Sequence, residues 1–353
     1  MNRRVLGWAG ALVAILFISI AYQGSGPVLA ARGIPDPPAR LVDTGLYTDG
    51  NLATIDPRNR AFVPQYPLWS DGLSKQRWVY LPPGATIDAT DEHEWKFPVG
   101  TKFWKQFSLK GRKVETRLLW RATDDGWVTA SYLWNEGGTE ALLAPAQGVP
   151  DVIEVAPSRR FSIPSRTDCT ACHGTKPTMP LGFNALQLSP DRDPNAIHGE
   201  SAAPGALTLA QLSSERLLEH ARPDLLLNPP RIRTAHPATR ALLGYLAANC
   251  GVCHNGKGDI AALGPTLRVR DLVSDGDAVA RGLLDQPTRW QLPGLPEGTV
   301  LVKPGVPDLS ALLVRMRSRA PSSQMPPLGT VVRDQHAVDL LTRWIAGDQP
   351  KAR

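Results

Sequence analysis

Two pentapeptides in this chain of 353 residues have the form Cys-x-x-Cys-His, namely Cys169–His173 and Cys250–His254. Two cysteines at this spacing form thioether bonds with the vinyl groups of one haem, and the adjacent histidine becomes an axial ligand of its iron. The chain has four cysteines, and the two pentapeptides contain all of them. The repeat therefore predicts two covalently attached haems c, bound through Cys169, Cys172, Cys250 and Cys253, with His173 and His254 as iron ligands.

Paired cysteines have three other common uses, and each stays open at this point. Four thiolates can hold one zinc ion, although the chain between Cys172 and Cys250 is far longer than the loops of compact zinc modules. The pairs can also form disulfides, or one pair can be a thioredoxin-like redox site. None of these uses requires a histidine after both pairs, so haem attachment is the preferred interpretation.

The second haem has one clear candidate for its distal ligand, Met325. This residue lies in a proline-rich loop shortly before the last helical pattern of the chain. A methionine thioether favours ferrous iron and so raises the reduction potential. The alternative is a buried methionine that only fills space. Met316 lies between two arginines on the preceding helical segment and is interpreted as packing.

The first haem has several candidates for its distal ligand. His198, in the turn-rich segment 191–199, is the first of them. His236 and Met179 follow, and a vacant distal position stays open. Met179 comes so soon after His173 that a fully extended chain barely reaches round the haem edge.

The segment from residue 66 to 157 has the composition of a β domain. It contains seven of the ten tryptophans of the chain. Aromatic and β-branched residues recur there in short runs separated by Gly and Pro turns. The predicted strands are 76–81, 102–109, 114–121 and 126–134. We expect an antiparallel sandwich or barrel with the tryptophans in its core.

The remainder of the chain is predicted to be mainly helical. Pro237 begins a helical pattern that runs directly into Cys250, and two further patterns follow at 310–318 and 334–346. We therefore predict a multidomain protein in which an N-terminal antiparallel β domain precedes mainly α, cytochrome c-like haem modules. The expected parts are a signal peptide or anchor at 1–30, an extended lead-in at 31–65, the Trp-rich β domain at 66–157, a first haem module at 158–236 and a second haem domain at 237–348.

The N-terminus has the features of an export signal. Arg3 and Arg4 precede an apolar run that ends at Tyr22, and small residues follow up to a cleavage site expected after Ala30. The run is near the shortest length that spans a bilayer, so an uncleaved membrane anchor is the alternative. Either form predicts that the rest of the chain is periplasmic, the compartment in which bacteria attach haem c.

The order of features from Pro237 to Asp348 resembles a class I cytochrome c. A helix leads into Cys-x-x-Cys-His, and the segment Gly264–Leu267, a methionine loop and a closing helix follow. The resemblance implies a haem domain in which the carbonyl of Pro265 accepts a hydrogen bond from the ring of His254. Such a bond fixes the orientation of a ligating histidine.

Most of residues 60–345 is similar to a largely uncharacterised family of exported bacterial dihaem c-type cytochromes. The residues that carry this resemblance are 66–72, 97–102, 115–118, 133–135, 163–165 with the first pentapeptide, 181–183 and 187–188. The resemblance implies haem and a periplasmic location and leaves the role of the β domain open.

Charge and motifs narrow the expected function further. The formal net charge is +6, but the cations are scattered along the sequence, which argues against nucleic acid as a partner. A periplasmic or membrane redox protein with an acidic face is the expected partner. We expect an electron-transfer protein rather than a catalyst. The alternative is a dihaem enzyme of peroxidase type, with an open or displaceable ligand at the first haem.

Overall fold

An antiparallel sheet of six strands is the largest element of the computed structural model, which describes residues 33–48, 50–174, 180–201, 204–257, 264–290 and 295–348. In chain order the strands are β1 (Arg60–Ala61), β2 (Ser74–Tyr80), β3 (Ile87–Asp88), β4 (Lys102–Leu109), β5 (Arg112–Thr123), β6 (Gly126–Trp134), β7 (Ala141–Leu143), β8 (Val149–Ala156), β9 (Arg159–Ile163) and β10 (Leu218–Glu219). The large sheet has the order β1-β2-β4-β5-β6-β7, while β8 pairs with β9 and β3 pairs with β10.

Local sequence explains the central hairpin of this sheet. The two-residue loop between β4 and β5 is Lys110-Gly111, and both residues have positive φ, which matches the twist of an antiparallel hairpin. On one sheet face Trp78, Trp104 and Leu118 occupy neighbouring positions on three strands and are buried together. The strands predicted at 76–81, 102–109, 114–121 and 126–134 correspond to β2, β4, β5 and β6.

The predicted fold class is wrong. The structure is mostly β, its large sheet is open rather than a closed barrel, and mainly α, cytochrome c-like haem modules are not found in the described residues. The described helices are short: α1 (Arg166–His173), α2 (Leu209–Ser214), α3 (Pro237–Asn249), α4 (Val269–Arg281), α5 (Ala311–Arg317) and α6 (Gln335–Arg343). α6 continues into a π-helical turn, Trp344–Asp348.

The helices do not form modules because their apolar residues share cores with other parts of the chain. Phe183 and Leu209, from the region predicted to be the first haem module, are buried with Phe103 of β4 in one cluster. Tyr66, from the segment between β1 and β2, is buried with α3 and α6. A Cβ at Gly244 of α3 would lie 2.1 Å from the Tyr66 ring, so only glycine fits there. α2, α3 and α6 thus bury apolar residues against distant parts of the chain.

The chain from Ile34 onward is one compact unit, and the domain boundaries predicted within it stay predictions. The predicted signal or anchor at 1–30 lies outside the described residues. No helix among the described residues is long and apolar enough to cross a membrane.

Candidate functional site

The first Cys-x-x-Cys-His pentapeptide lies entirely on a helix, α1. Ser165 begins this helix as its N-cap: its hydroxyl accepts from the backbone N–H of Asp168 at 3.1 Å, and the Asp168 carboxylate accepts from the Ser165 N–H at 2.9 Å. This reciprocal capping stabilises the first turn. Because residues three and four apart on a helix share a face, Cys169, Cys172 and His173 lie on one side of α1.

The second pentapeptide follows the C-terminus of α3. The N–H of Cys250 still bonds to Leu246 at 2.8 Å, and the N–H groups of Cys253 and His254 both return to the Cys250 carbonyl, at 3.0 and 2.8 Å. Gly251 permits this tight turn, since a Cβ there would lie 2.7 Å from the carbonyl oxygens of Ala247 and Leu267. The chain therefore turns directly from the helix into the motif.

The fold brings the two pentapeptides into contact. The thiols of Cys172 and Cys253 are hydrogen-bonded to each other, and this bond, together with burial, raises the pKa of Cys172. Burial also raises the pKa of Cys169, and it raises that of Cys250 to about 12. The contact joins two motifs that are far apart in the sequence, and no local pattern predicted it.

The other uses of paired cysteines gain no support from this arrangement. None of the four cysteines is in a disulfide. Among the described residues, which include both pentapeptides, no third thiol or imidazole joins Cys172 and Cys253 to form a set of metal ligands. The raised pKa values of Cys169, Cys172 and Cys250 favour the protonated thiols, whereas redox-active sites favour the thiolate.

The imidazole of His254 is enclosed by the chain. Burial, and then the charge of Arg315, lower the pKa of this histidine. Its Nδ1 atom is buried and has no hydrogen-bond partner among the described residues, so the expected bond to the Pro265 carbonyl is not formed. The backbone of Gly264 packs directly on the ring: a Cβ there would lie 2.5 Å from Nδ1.

Met325 lies beside the second pentapeptide. Its side chain lines a small cavity together with Cys250, Tyr245 and Met316. The Met325 backbone N–H donates to the carbonyl of Arg315 at 3.0 Å, and the charge of Arg315 acts on His254. The predicted distal methionine and the predicted proximal histidine thus both lie near Arg315. The ligand assignment stays a prediction.

His198 contacts Trp69 and Asp334, two residues that lie near the second pentapeptide. Its ring stacks on Trp69 at a centroid distance of 5.0 Å, and its Nε2 lies 2.8 Å from the Asp334 carboxylate. His336 is next to it, and donor atoms of the three polar residues lie within 4.8 Å of one another. Asp334 lines the same cavity as Cys250. The role of His198 as distal ligand of the first haem stays a prediction.

The remaining candidates for this ligand are placed differently. His236 precedes the first residue of α3, where its backbone N–H bonds to the Thr234 hydroxyl at 3.2 Å. Met179 lies outside the described residues.

Sequence reasoning missed a cluster of cations on the sheet face beside α1. These are Lys75 and Arg77 of β2, Lys105 of β4 and Arg117 of β5. Arg117 is paired with the fully buried Glu115, at 2.8 and 2.9 Å. Its charge also acts on Cys169 and Cys172. The cations are scattered in the sequence, and no local pattern marks them: Arg77, Lys105 and Arg117 lie on three different predicted strands, and Lys75 precedes the first of these.

No family model, curated protein or solved structure matches this chain.

Proposed function

We propose that this protein is a periplasmic dihaem c-type cytochrome that transfers electrons to or from a periplasmic or membrane redox partner. The observation that carries the proposal is the contact between Cys172 and Cys253. Electron transfer between two cofactors requires them to be close, and thioether bonds at contacting cysteines bring two haems together. When bound, the haems supply the one-electron redox chemistry that side chains lack.

The residues of both pentapeptides suit a haem. Each offers two cysteines for thioether bonds and one histidine for iron. The Nδ1 atom of His254 is buried and makes no hydrogen bond to a described residue, and glycine at position 264 leaves space for the ring where a Cβ would collide with it. A ligating histidine needs a fixed orientation, and backbone packing at Gly264 provides it. The other iron ligands that the sequence assigns are His173 at the first motif, Met325 at the second, and His198 as the first candidate for the distal side of the first haem.

One observation favours the dihaem peroxidase alternative. His198 is bonded through Nε2 to Asp334, and its aromatic contacts are Trp69 and His336. A first haem without a firmly held distal ligand resembles the reactive haem of such an enzyme more than an electron carrier.

The test is to produce the protein with a haem-attachment system and to measure its mass after acid denaturation. The proposal expects two haems retained in the wild type and one in each of two variants, Cys169→Ala/Cys172→Ala and Cys250→Ala/Cys253→Ala. A wild-type chain without haem contradicts it. Cyanide separates the two functions, because two inert low-spin haems indicate electron transfer, whereas cyanide binding at one native haem indicates an enzyme.

A matched pair of variants tests the methionine ligand. Met325→Leu is expected to abolish the weak far-red band that methionine ligation gives to oxidised haem. Met316→Leu removes a methionine from the same cavity and is expected to retain the band. A band that survives Met325→Leu shows that another residue binds this iron.

A further inference from the structure

The cation cluster forms a row across three strands. Arg77 is directly opposite Lys105, and Lys105 is directly opposite Arg117. Lys75 lies on the same face, two residues before Arg77. Like charges in directly opposite positions destabilise a sheet. The row is therefore unfavourable unless something else compensates it.

Apolar clusters flank the row on the same face. Val79 and Phe103 lie on one side of it and belong to one buried core. Phe107 and Leu133 lie on the other side, in a second core. The four cations thus occupy a polar strip between two apolar regions, where charge is costly unless it is paired.

Carboxylates of this chain neutralise only part of the charge. Glu115 is paired with Arg117, and Glu200 lies 3.5 Å from Arg77, whose Nη1 is buried and makes no hydrogen bond to a described residue. The Lys75 ammonium donates to the backbone carbonyl of Leu68 at 2.6 Å. A carbonyl carries no full negative charge, so this bond does not neutralise the lysine.

Lys105 is the least compensated of the four. Its ammonium lies 5.4 Å from the centre of the Phe107 ring, and no hydrogen bond or ion pair joins it to another described residue. Burial, followed by the charges of Arg117, Arg77 and Lys75, lowers the pKa of this lysine to about 7. A half-buried ammonium flanked by three other cations favours an anionic partner that the described residues do not supply.

The first haem motif lies beside this row. The charge of Arg117 acts on both thiols of α1, and that of Lys105 acts on Cys172. From Arg117 the row leads across β4 to β2, and strands about 4.8 Å apart give it a length of about 10 Å. The propionates of a haem lie on the edge of the ring opposite its vinyl groups. A haem attached at α1 therefore has its carboxylates on the edge away from the cysteines. The row of cations also extends away from the cysteines, so the two can meet.

We propose that Arg77, Lys105 and Lys75 bind the propionate carboxylates of the haem attached to Cys169 and Cys172. This inference rests on the proposed function. Two propionates supply the two negative charges that four cations and two carboxylates leave unbalanced, and hydrogen bonds between charged partners are the stronger kind. The row is then part of the haem site, although none of its residues belongs to a haem motif.

The experiment uses the holoprotein and three variants. Lys105→Gln removes one charge from the row, Lys105→Arg retains it, and Lys113→Gln removes one charge elsewhere, from a lysine that lies over Trp134 in the opposite core. The reduction potential of each haem is measured by spectroelectrochemistry. Redox-difference infrared spectra are recorded with haem labelled isotopically at its propionate carboxyl carbons.

Lys105→Gln is expected to lower the equilibrium constant for reduction of one haem by about tenfold, which is about 59 mV for one electron, because a nearby cation stabilises the reduced haem. The labelled carboxylate band is expected to shift as well. Lys105→Arg and Lys113→Gln are expected to leave both measurements close to the wild type. An unchanged band and potential in Lys105→Gln, with both haems attached, overturn the proposal.

Two further arms keep the test decisive. If Lys105→Gln does not accumulate, Lys75→Gln is measured in the same way, and an unchanged result there also overturns the proposal. The effect must persist in Cys250→Ala/Cys253→Ala, which retains the first haem. If it persists only in Cys169→Ala/Cys172→Ala, the propionates belong to the second haem, and the assignment is wrong. Loss of both haems from the wild type instead contradicts the proposed function itself.

Discussion

Replacing Gly264 by alanine tests whether the backbone at this position holds the imidazole of His254. The new Cβ would lie 2.5 Å from both Nδ1 and Cε1 of the ring, whereas ordinary van der Waals contact begins at 3.4 Å. The ring must therefore move by about 0.9 Å. In the proposed dihaem protein the ring would have little freedom to do so, because it would bind iron and the adjacent Cys253 would carry a thioether bond.

Overpacking of this kind costs about 1–3 kcal/mol. We expect the free energy of unfolding of the holoprotein to fall by about 2 kcal/mol, in the middle of that range, in guanidinium titrations followed by haem absorbance. The spectrum and potential of the second haem are expected to change, and those of the first to stay the same. Gly137→Ala is the matched control, because the nearest atoms to its Cβ belong to Thr139 at 3.8 Å.

One result refutes this reasoning. If Gly264→Ala retains both haems and matches Gly137→Ala in stability and in the spectrum of the second haem, the backbone does not position the ring. His254 would then be oriented by something other than the packing described for this site.

Three further predictions concern the sheet face and the core. Glu115→Gln removes the carboxylate that pairs with Arg117 and leaves that charge unpaired. We expect the free energy of unfolding in urea titrations to fall by about 3 kcal/mol, and a fall of less than about 0.5 kcal/mol contradicts the pairing. Gly244→Ala places a Cβ 2.1 Å from the buried ring of Tyr66, so we expect a loss of about 3 kcal/mol by thermal unfolding, and wild-type stability excludes this packing. In the variant that lacks the first haem, the folded pKa of Lys105 (about 7) lies below its ordinary value of 10.5. Above pH 10.5 Lys105 is neutral in both the folded and the unfolded chain and costs no stability. As the pH drops from 10.5 towards 7, the unfolded chain binds a proton that the folded chain does not, so the free energy of unfolding falls by up to about 1.4 kcal/mol per pH unit. Lys105→Gln in that variant is expected to remove this slope.

The sequence was sufficient to locate four strands of the large sheet, β2, β4, β5 and β6, because the signals for them are local. Lys110-Gly111 is a hairpin loop that can be recognised from two residues, and the flanking strands carry their aromatic residues in short runs. The helix before Cys250 was predictable for the same reason, since Pro237 marks its first turn. The haem motifs themselves are continuous pentapeptides.

Features that depend on distant chain could not be predicted. The sequence does not show that Phe183 packs on the sheet or that Tyr66 packs on α3, and without these contacts the helical patterns indicated independent modules. The same limit applies to the site. His198 meets Asp334, and Lys105 lies beside Cys172, only through tertiary structure. Scattered cations indicated a solvated surface, whereas strand pairing brings four of them together.

The interleaving that removes independent modules is also what brings the two motifs together. The Trp69 backbone N–H bonds to Asn249, the residue before Cys250, at 2.8 Å, and its indole N–H bonds to the carbonyl of Val332 at 2.9 Å. These bonds join the segment between β1 and β2 to the second motif. The first motif lies close enough to the same sheet for the charge of Arg117 on β5 to act on Cys169. Two haem modules joined by a linker would vary their separation. Motifs fixed to one sheet keep it constant, and a constant short separation is what sustained electron transfer between two haems requires.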